Sequence, residues 1–293
     1  MIRNQNRGFL RGLPTIIFSI PMTGSLGLLA RSIYQCLEDI GLQPLRLRSL
    51  RGVPAYLRDL LTYRRLQKLH PSSVAATLQI APLLSDRYAG AGAGRSLYFI
   101  QDLLCSTHVL ERSPCRHLDI GSRIDGFVAQ IAASRSIEVL DIRPLPAPPT
   151  PNLRFVQGDI LAPPAELVGE YELVSSLHAL EHVGLGRYGD PVAPDGFERA
   201  LAHAASFVAC GGTLLISLPV ARMGRHLVQF NSQRLFSNAL FGDLLACLLP
   251  QFIPTWSFVV DDRRLPRLAS GAPDQLLADF QGFGLCCVAM RRQ

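Results

Sequence analysis

The stretch HLDIGSRIDGFVAQIAA, residues 117–133, decides how this chain folds. His117 to Ile120 form a short apolar run that leads into Gly121, after which Phe127, Val128, Ile131 and Ala132 recur at helical spacing. A strand that turns through glycine into a helix presents free backbone N–H groups and a favourable dipole to an anionic group. The pattern repeats downstream: IEVLDI (137–142), LRFVQGDI (153–160), YELVSSL (171–177) and GGTLLISLPV (211–220) read as strands, with late strands expected at 257–260 and 285–290. Such alternation is the signature of βα units and a parallel, doubly wound α/β sheet. In an open sheet of this kind the ligand lies at the carboxyl ends of the strands. Asp119, Gly121, Asp141, Asp159, Ser176 and His178 are expected to converge there. Asp141 stands 22 residues after Asp119, a position and distance suited to an acid that hydrogen-bonds ribose hydroxyls.

Composition agrees with a globular α/β protein. Of 293 residues, 48% are hydrophobic and 18% charged, which excludes intrinsic disorder, collagen-like repeats and coiled coil. The seven cysteines are scattered and odd in number, as expected of buried thiols in a reducing compartment rather than a disulfide framework. The net charge of +6 is unevenly spread: residues 1–70 carry +8 and the remainder −2. Basicity therefore belongs to the N-terminal quarter. With no nucleic-acid module and few interleaved aromatics, that charge does not identify a nucleic-acid binder.

Within the N-terminal quarter, residues 12–30 are uncharged and flanked by Arg11 and Arg31. The run approaches the roughly 20 residues of a membrane span, but Pro14, Pro21, Gly24 and Gly27 interrupt it. It reads as a buried strand, turn and helix rather than a span or signal peptide, with TIIFSI (15–20) as the strand. Helices are expected at 25–40 and 54–69, the second carrying Leu57, Leu60, Leu61 and Leu66 opposite Arg58, Arg64, Arg65 and Lys68. Such a helix is either docked with a solvated basic face or laid on an anionic membrane surface. The expected location is cytoplasmic, with peripheral contact at the inner membrane as the open alternative. AGAGAG (89–94) reads as a flexible joint, and the expected domains are a basic, mainly helical region at 1–85 and an α/β domain at 86–293.

Taken together, HLDIGSRIDG, EVLDIRPL, FVQGDI, ELVSSLHALEHV and GGTLLISLPV resemble the motif series of class I S-adenosylmethionine-dependent methyltransferases. DIGSRIDGFVA, HALEHVGLGRYGDP and QFNSQRLFS are further similar to a bacterial family of unknown function associated with surface-polysaccharide biosynthesis. The resemblance implies a Rossmann-like, doubly wound seven-stranded sheet with a reversed last strand, and S-adenosylmethionine as cofactor. It places Asp119 and Gly121 in the cofactor loop, Asp141 at the ribose and Asp159 at the adenine amino group, and adds Ser122, Arg123, Ile142, Ile160 and Ser176 to the cofactor-binding set. The family's second and third loop glycines are replaced by Arg123 and Asp125, with Gly126 one position later. Arg123 either neutralises the cofactor's carboxylate or pairs with Asp125.

Transfer to a hydroxyl needs positioning and a base near neutral pH, for which histidine is suited. His178, at the fourth strand's end, is the first candidate; His182, expected one helical turn on, and Glu181 are its neighbours. The loop GLGRYGDPVAPDG offers Arg187, Tyr188 and Asp190 to an acceptor, and Asn231 and Arg234 offer a second wall unless Asn231 or Ser232 caps a helix. The expected acceptor is a small molecule or a glycan, a sugar hydroxyl of a surface glycan or its precursor; the alternative is a methyltransferase-like binding protein without turnover. His178-Ala-Leu-Glu-His182 also has the form H-x-x-E-H, an inverted zinc-protease motif, but no third ligand is evident and no metal is expected.

Overall fold

The computed structural model describes residues 37, 49–69, 80, 82, 84, 96–148 and 150–293. The TIIFSI strand, nearly all of the 25–40 helix and the AGAGAG joint lie outside them. Two compact units divide the chain, Met1–Ala93 and Gly94–Gln293. In the first, helix α1 (Val53–Leu69) has Pro54 in its opening turn, where a missing N–H costs nothing, and buries none of its residues.

The second unit holds helix α2 (Leu97–Arg112), then strands β1 (His117–Ile120), β2 (Ile137–Asp141), β3 (Leu153–Gln157) and β4 (Tyr171–Leu177). Helix α3 (Ala129–Ala132) follows β1, and α4 (Gly196–Phe207) precedes the long β5 (Val208–Ala221). Strands β6 (Leu227–Gln229) and β7 (Gln233–Ser237) form a hairpin, followed by α5 (Phe241–Leu248), β8 (Phe252–Val260), β9 (Arg267–Ala269), α6 (Asp274–Ala278) and β10 (Phe283–Arg292). Sheet order is β3-β2-β1-β4-β5-β10-β8-β9. Strands β1 to β5 pair in parallel, whereas β10 is antiparallel to both β5 and β8. The reversed strand expected from the resemblance is β10, and the fold is the Rossmann-like methyltransferase sheet. Beyond the seven-stranded expectation, β9 extends the edge, and β7 pairs with β5 where β5 outruns β4.

Alternation along the central strands divides two cores. Leu118, Ile120, Leu214, Ile216, Cys286 and Val288 pack with Ala200, Leu201, Ala204 and Phe207 of α4. Leu215, Leu285, Cys287 and Ala289 pack on the other face with Ile100, Cys105 and Val109 of α2 and with Phe127, Val128 and Ile131. Adjacent cysteines thus serve opposite cores, as period-two geometry requires. Each fully buried Leu or Phe contributes about 1.5–3 kcal/mol by leaving water, so both helical layers hold the sheet from strands that alternate rather than segregate. Helix α2 starts where Ser96 Oγ accepts the Phe99 N–H at 3.1 Å and ends at Ser113 in the left-handed region.

Candidate functional site

The site is built from the carboxyl ends of β1, β2 and β4. Gly121 leaves β1 with φ +68°, and a Cβ there would lie 3.0 Å from Ala179 Cβ. A side chain is disfavoured both by conformation and by the approach of the β4 exit. Ser122 secures the turn: its N–H and Oγ–H donate to Asp119 at 3.0 and 2.8 Å, and its Oγ accepts the Leu177 N–H at 3.0 Å. Ser175 Oγ–H also donates to Asp119, at 2.6 Å. The expected helix after the turn opens instead as a π-helical turn, Ile124–Val128, kinked at Gly126. A Cβ at Gly126 would strike the Asp102 carboxylate.

Several expected cofactor residues are therefore structural. Asp119 is fully enclosed, with no face toward the crevice; burial pushes its carboxyl up to about 7. Ser176 is buried and donates its hydroxyl to Ile120 O at 2.8 Å. Ser122 is spent on the turn, and Ile160 belongs to the core beneath α4. Arg123 takes the pairing alternative, binding Asp125 at 2.9 and 2.6 Å. Asp159 closes its own turn by accepting the Leu161 N–H at 2.8 Å. Gly121, Asp141 and the half-buried Ile142 stand side by side at the carboxyl ends of the paired strands β1 and β2.

Asp141, the last residue of β2, is held by Arg143. The Arg143 N–H donates to Oδ1 at 2.8 Å, Nε to both oxygens at 2.9 and 3.1 Å, and Nη2 to Oδ2. The same Nη2 donates to Gly121 O at 3.1 Å, so the guanidinium bridges the ends of β1 and β2.

Beyond β4 the expected helix is absent. His178 has φ +52° and its N–H donates to Ser217 O at 3.0 Å; only a 3-10 turn, Leu180–His182, follows. A non-glycine residue held in the left-handed region is costly and recurs at functional sites. The compact turn brings His178 Nδ1 to Glu181 Oε1 at 2.9 Å and His182 Nε2 to the same oxygen at 3.6 Å. Burial opposes charge on Glu181, yet the facing His178 and His182 hold its carboxyl below the usual range. His182 Nδ1 meets Ser232 O at 2.6 Å, and burial lowers its affinity for a proton. Glu181 therefore fixes the His178 Nδ1–H tautomer and leaves Nε2 as an acceptor, buried and unpartnered. Both histidines converge on a carboxylate rather than lining a helical face, and among the described residues no His, Cys, Asp and Glu group is arranged to hold a metal.

The following loop is organised from within. Asp190 accepts the Gly184, Gly186 and Tyr188 N–H groups at 2.7, 3.3 and 3.1 Å. Buried Arg234, expected on an acceptor wall, instead donates to Val183 O at 2.6 Å, Glu181 O at 3.3 Å and Pro194 O at 3.1 Å. Asn231 caps no helix; with φ +60° it makes the β6–β7 hairpin turn. Asp190 and Arg234 thus shape the wall instead of offering side chains to a ligand, while Asn231 is exposed. Exposed Tyr188 and Arg187 remain: the Arg187 and Arg143 guanidinium carbons lie 5.2 and 4.9 Å from the Tyr188 ring centre.

Sequence reading missed α2, which brings Tyr98 edge-on to His178 at 5.1 Å, and missed Arg143. The signal for α2 was present in LYFIQDLLCSTHVLER with its Ser96 cap; for Arg143 it was an arginine two places after the ribose acid. Two clefts of about 290 and 410 Å³ around Cys210 and Gly211 lie at the opposite edge of the sheet, away from these groups.

Residues 159–259 match a family profile described as Caenorhabditis protein of unknown function, DUF268. That description carries no link to a bacterial polysaccharide family. No curated protein matches the chain. Among solved structures, it is similar to the 1,6-didemethyltoxoflavin-N1-methyltransferase of Burkholderia thailandensis with bound 1,6-didemethyltoxoflavin and S-adenosylhomocysteine (17% identity, 75% of this chain and 93% of that one, TM-score 0.45). An O-methyltransferase from a trans-AT PKS multienzyme of Brevibacillus brevis, in complex with S-adenosylhomocysteine, is 14% identical over 67% of this chain and 72% of that one, TM-score 0.46. The [4+2]-cyclase SpnF is 15% identical over 69% and 85%, TM-score 0.46. These likenesses assign no activity to the chain.

Proposed function

We propose that the chain is an S-adenosylmethionine-dependent O-methyltransferase acting on a sugar hydroxyl of a surface glycan or its precursor, with residues 86–293 as the catalytic domain. The observation that carries the reading is the His178–Glu181 pair: a buried imidazole whose Nδ1 is held at 2.9 Å by a carboxylate and whose Nε2 has no partner. That is the arrangement of an oriented general base. His178 Nε2 takes the proton of an acceptor hydroxyl, Glu181 stabilises the imidazolium, and the wall of Tyr98 and Tyr188 limits water. Arg187 meets the acceptor at the crevice mouth.

S-adenosylmethionine, when bound, supplies an electrophilic methyl group on a sulfonium. The residues present fit it: the Gly121 turn leaves room that a Cβ would fill, and the Asp141 carboxylate stands where ribose hydroxyls need an acceptor once Arg143 moves. Gly121, Asp141 and Ile142 would hold it. The test is calorimetric titration with S-adenosylmethionine and S-adenosylhomocysteine, followed by methyl transfer to candidate glycans. His178→Ala should retain cofactor affinity and lose at least about a hundredfold in turnover; a fully active variant removes His178 as base. Cofactor binding without transfer to any acceptor would favour the binding-protein alternative.

A second reading concerns α1, whose Leu57, Leu61 and Leu69 are 51%, 66% and 62% exposed beside Arg58, Arg64, Arg65 and Lys68. No described helix is long and apolar enough to cross a membrane. Peripheral contact with an anionic bilayer would use this helix, and loss of sedimentation with anionic vesicles on deleting residues 1–85 would support it.

A further inference from the structure

Arg143 has no part in the proton transfer proposed above, yet its guanidinium bridges the ends of β1 and β2 and occupies the carboxylate proposed for the cofactor's ribose. We infer that Arg143 is a latch on Asp141 that, once released, joins Arg187 across the Tyr188 ring to seat an anionic group, a phosphate or a carboxylate, on the acceptor. The inference rests on the methyltransferase reading and names the acceptor class for the same site.

A carboxylate offers about four lone-pair positions, and Arg143 supplies contacts to Asp141 from its backbone N–H, from Nε to both oxygens, and from Nη2. Asp141's side chain is only 7% exposed, so water does not compete for them. A ribose diol reaches those positions only after the guanidinium has left. The Arg143 side chain is itself 39% exposed, and its open side already faces Tyr188.

Charge decides where it goes. Arg123 is neutralised by Asp125. Arg187 reaches Ser232 O at 3.0 Å and the His182 ring at 3.2 Å, and has no carboxylate partner among the described residues. Releasing Arg143 therefore leaves two guanidiniums flanking one tyrosine with no carboxylate between them. Two neighbouring cations without a carboxylate favour an anion, and planar forks favour a bidentate phosphate or carboxylate. Cofactor and anion are then coupled: occupancy of Asp141 by ribose makes the anion seat, and the anion holds Arg143 off Asp141. Such coupling is reciprocal.

The full chain is titrated calorimetrically with S-adenosylhomocysteine in buffer free of small anions, then with inorganic phosphate or with acetate, with thermal unfolding reporting that each variant is folded. Wild type should bind S-adenosylhomocysteine about fivefold tighter or more with the preferred anion, and the two arms separate phosphate from carboxylate. Arg143→Lys keeps the charge but loses the fork; it should bind S-adenosylhomocysteine tighter than wild type without anion and gain less from it. Arg187→Gln should lose the anion effect. Wild-type affinity unchanged by either anion overturns the inference and leaves the cofactor reading standing. No S-adenosylhomocysteine binding under any condition overturns both.

Discussion

Two Asp-x-Arg clamps stand at the same edge of the sheet, Asp141–Arg143 at the end of β2 and Asp261–Arg263 just past β8, and their local geometry is nearly identical. In each, the arginine N–H donates to Oδ1 (2.8 and 3.0 Å) while Nε and Nη2 grip the carboxylate. Their surroundings differ. Asp261 is fully buried and also accepts Arg267 Nη2 at 3.2 Å and the Gln281 N–H at 3.0 Å, and Arg263 has a second carboxylate, Asp279, at 3.0 Å. Among the described residues Arg143 has no second carboxylate; its remaining neighbours are a carbonyl and the Tyr188 ring. One clamp is closed by its neighbours and works as structure. The other is closed only by itself and can open.

A third carboxylate tests the contrast, and the largest effect is expected there. Asp119 is buried with neutral donors and no arginine, and its carboxyl is pushed up to about 7 by burial. Between about pH 4 and pH 7 the folded chain keeps this proton and the unfolded chain does not, so stability falls as pH rises through that window. Asp119→Asn should remove that loss: its stability relative to wild type should rise from pH 4 to pH 7 by on the order of 4 kcal/mol in denaturant unfolding. A pH-independent difference would show that Asp119 stays ionised.

Asp261 is opposite in sign. Burial alone would raise it, but the Arg263 and Gln281 hydrogen bonds hold its carboxyl below the usual range. Its contribution is present above about pH 4 and is lost as pH falls through the lowered value. Asp261→Ala should cost about 3 kcal/mol at neutral pH, since the Arg263 and Gln281 N–H groups lose their acceptor. Asp141→Ala, by contrast, should cost under about 1 kcal/mol in stability, because the Arg143 side chain can turn to water. Its loss should appear in S-adenosylhomocysteine affinity instead, at about 1–3 kcal/mol. Equal destabilisation by the two alanine variants would erase the distinction between a closed and an open clamp.

The fold was legible because its evidence is local. The runs HLDI, IEVLDI, LRFVQGDI, YELVSSL and GGTLLISLPV became β1 to β5, since apolar residues bounded by turns leave a chain few alternatives. The site was legible only by position. Gly121, Asp141 and His178 stand at the strand ends as spacing implied, but nothing local distinguishes Asp141 from Asp119 or Asp261. All are acids at strand ends, and their roles follow from which donors the fold brings against them.

By itself, then, the sequence determined the order of strands and turns, the left-handed glycine after β1 and the chemistry available past β4, because periodicity and residue type act over a few neighbours. Only tertiary structure decided that Asp119, Ser176, Asp190 and Arg234 are internal fastenings. It also replaced a helix by the 3-10 turn that joins His178 to Glu181, and set Arg143 across the ends of β1 and β2 beside Tyr188. Each of these rests on a contact between distant segments, or on the burial such contacts create, and burial fixes both a carboxylate's charge and a histidine's free nitrogen.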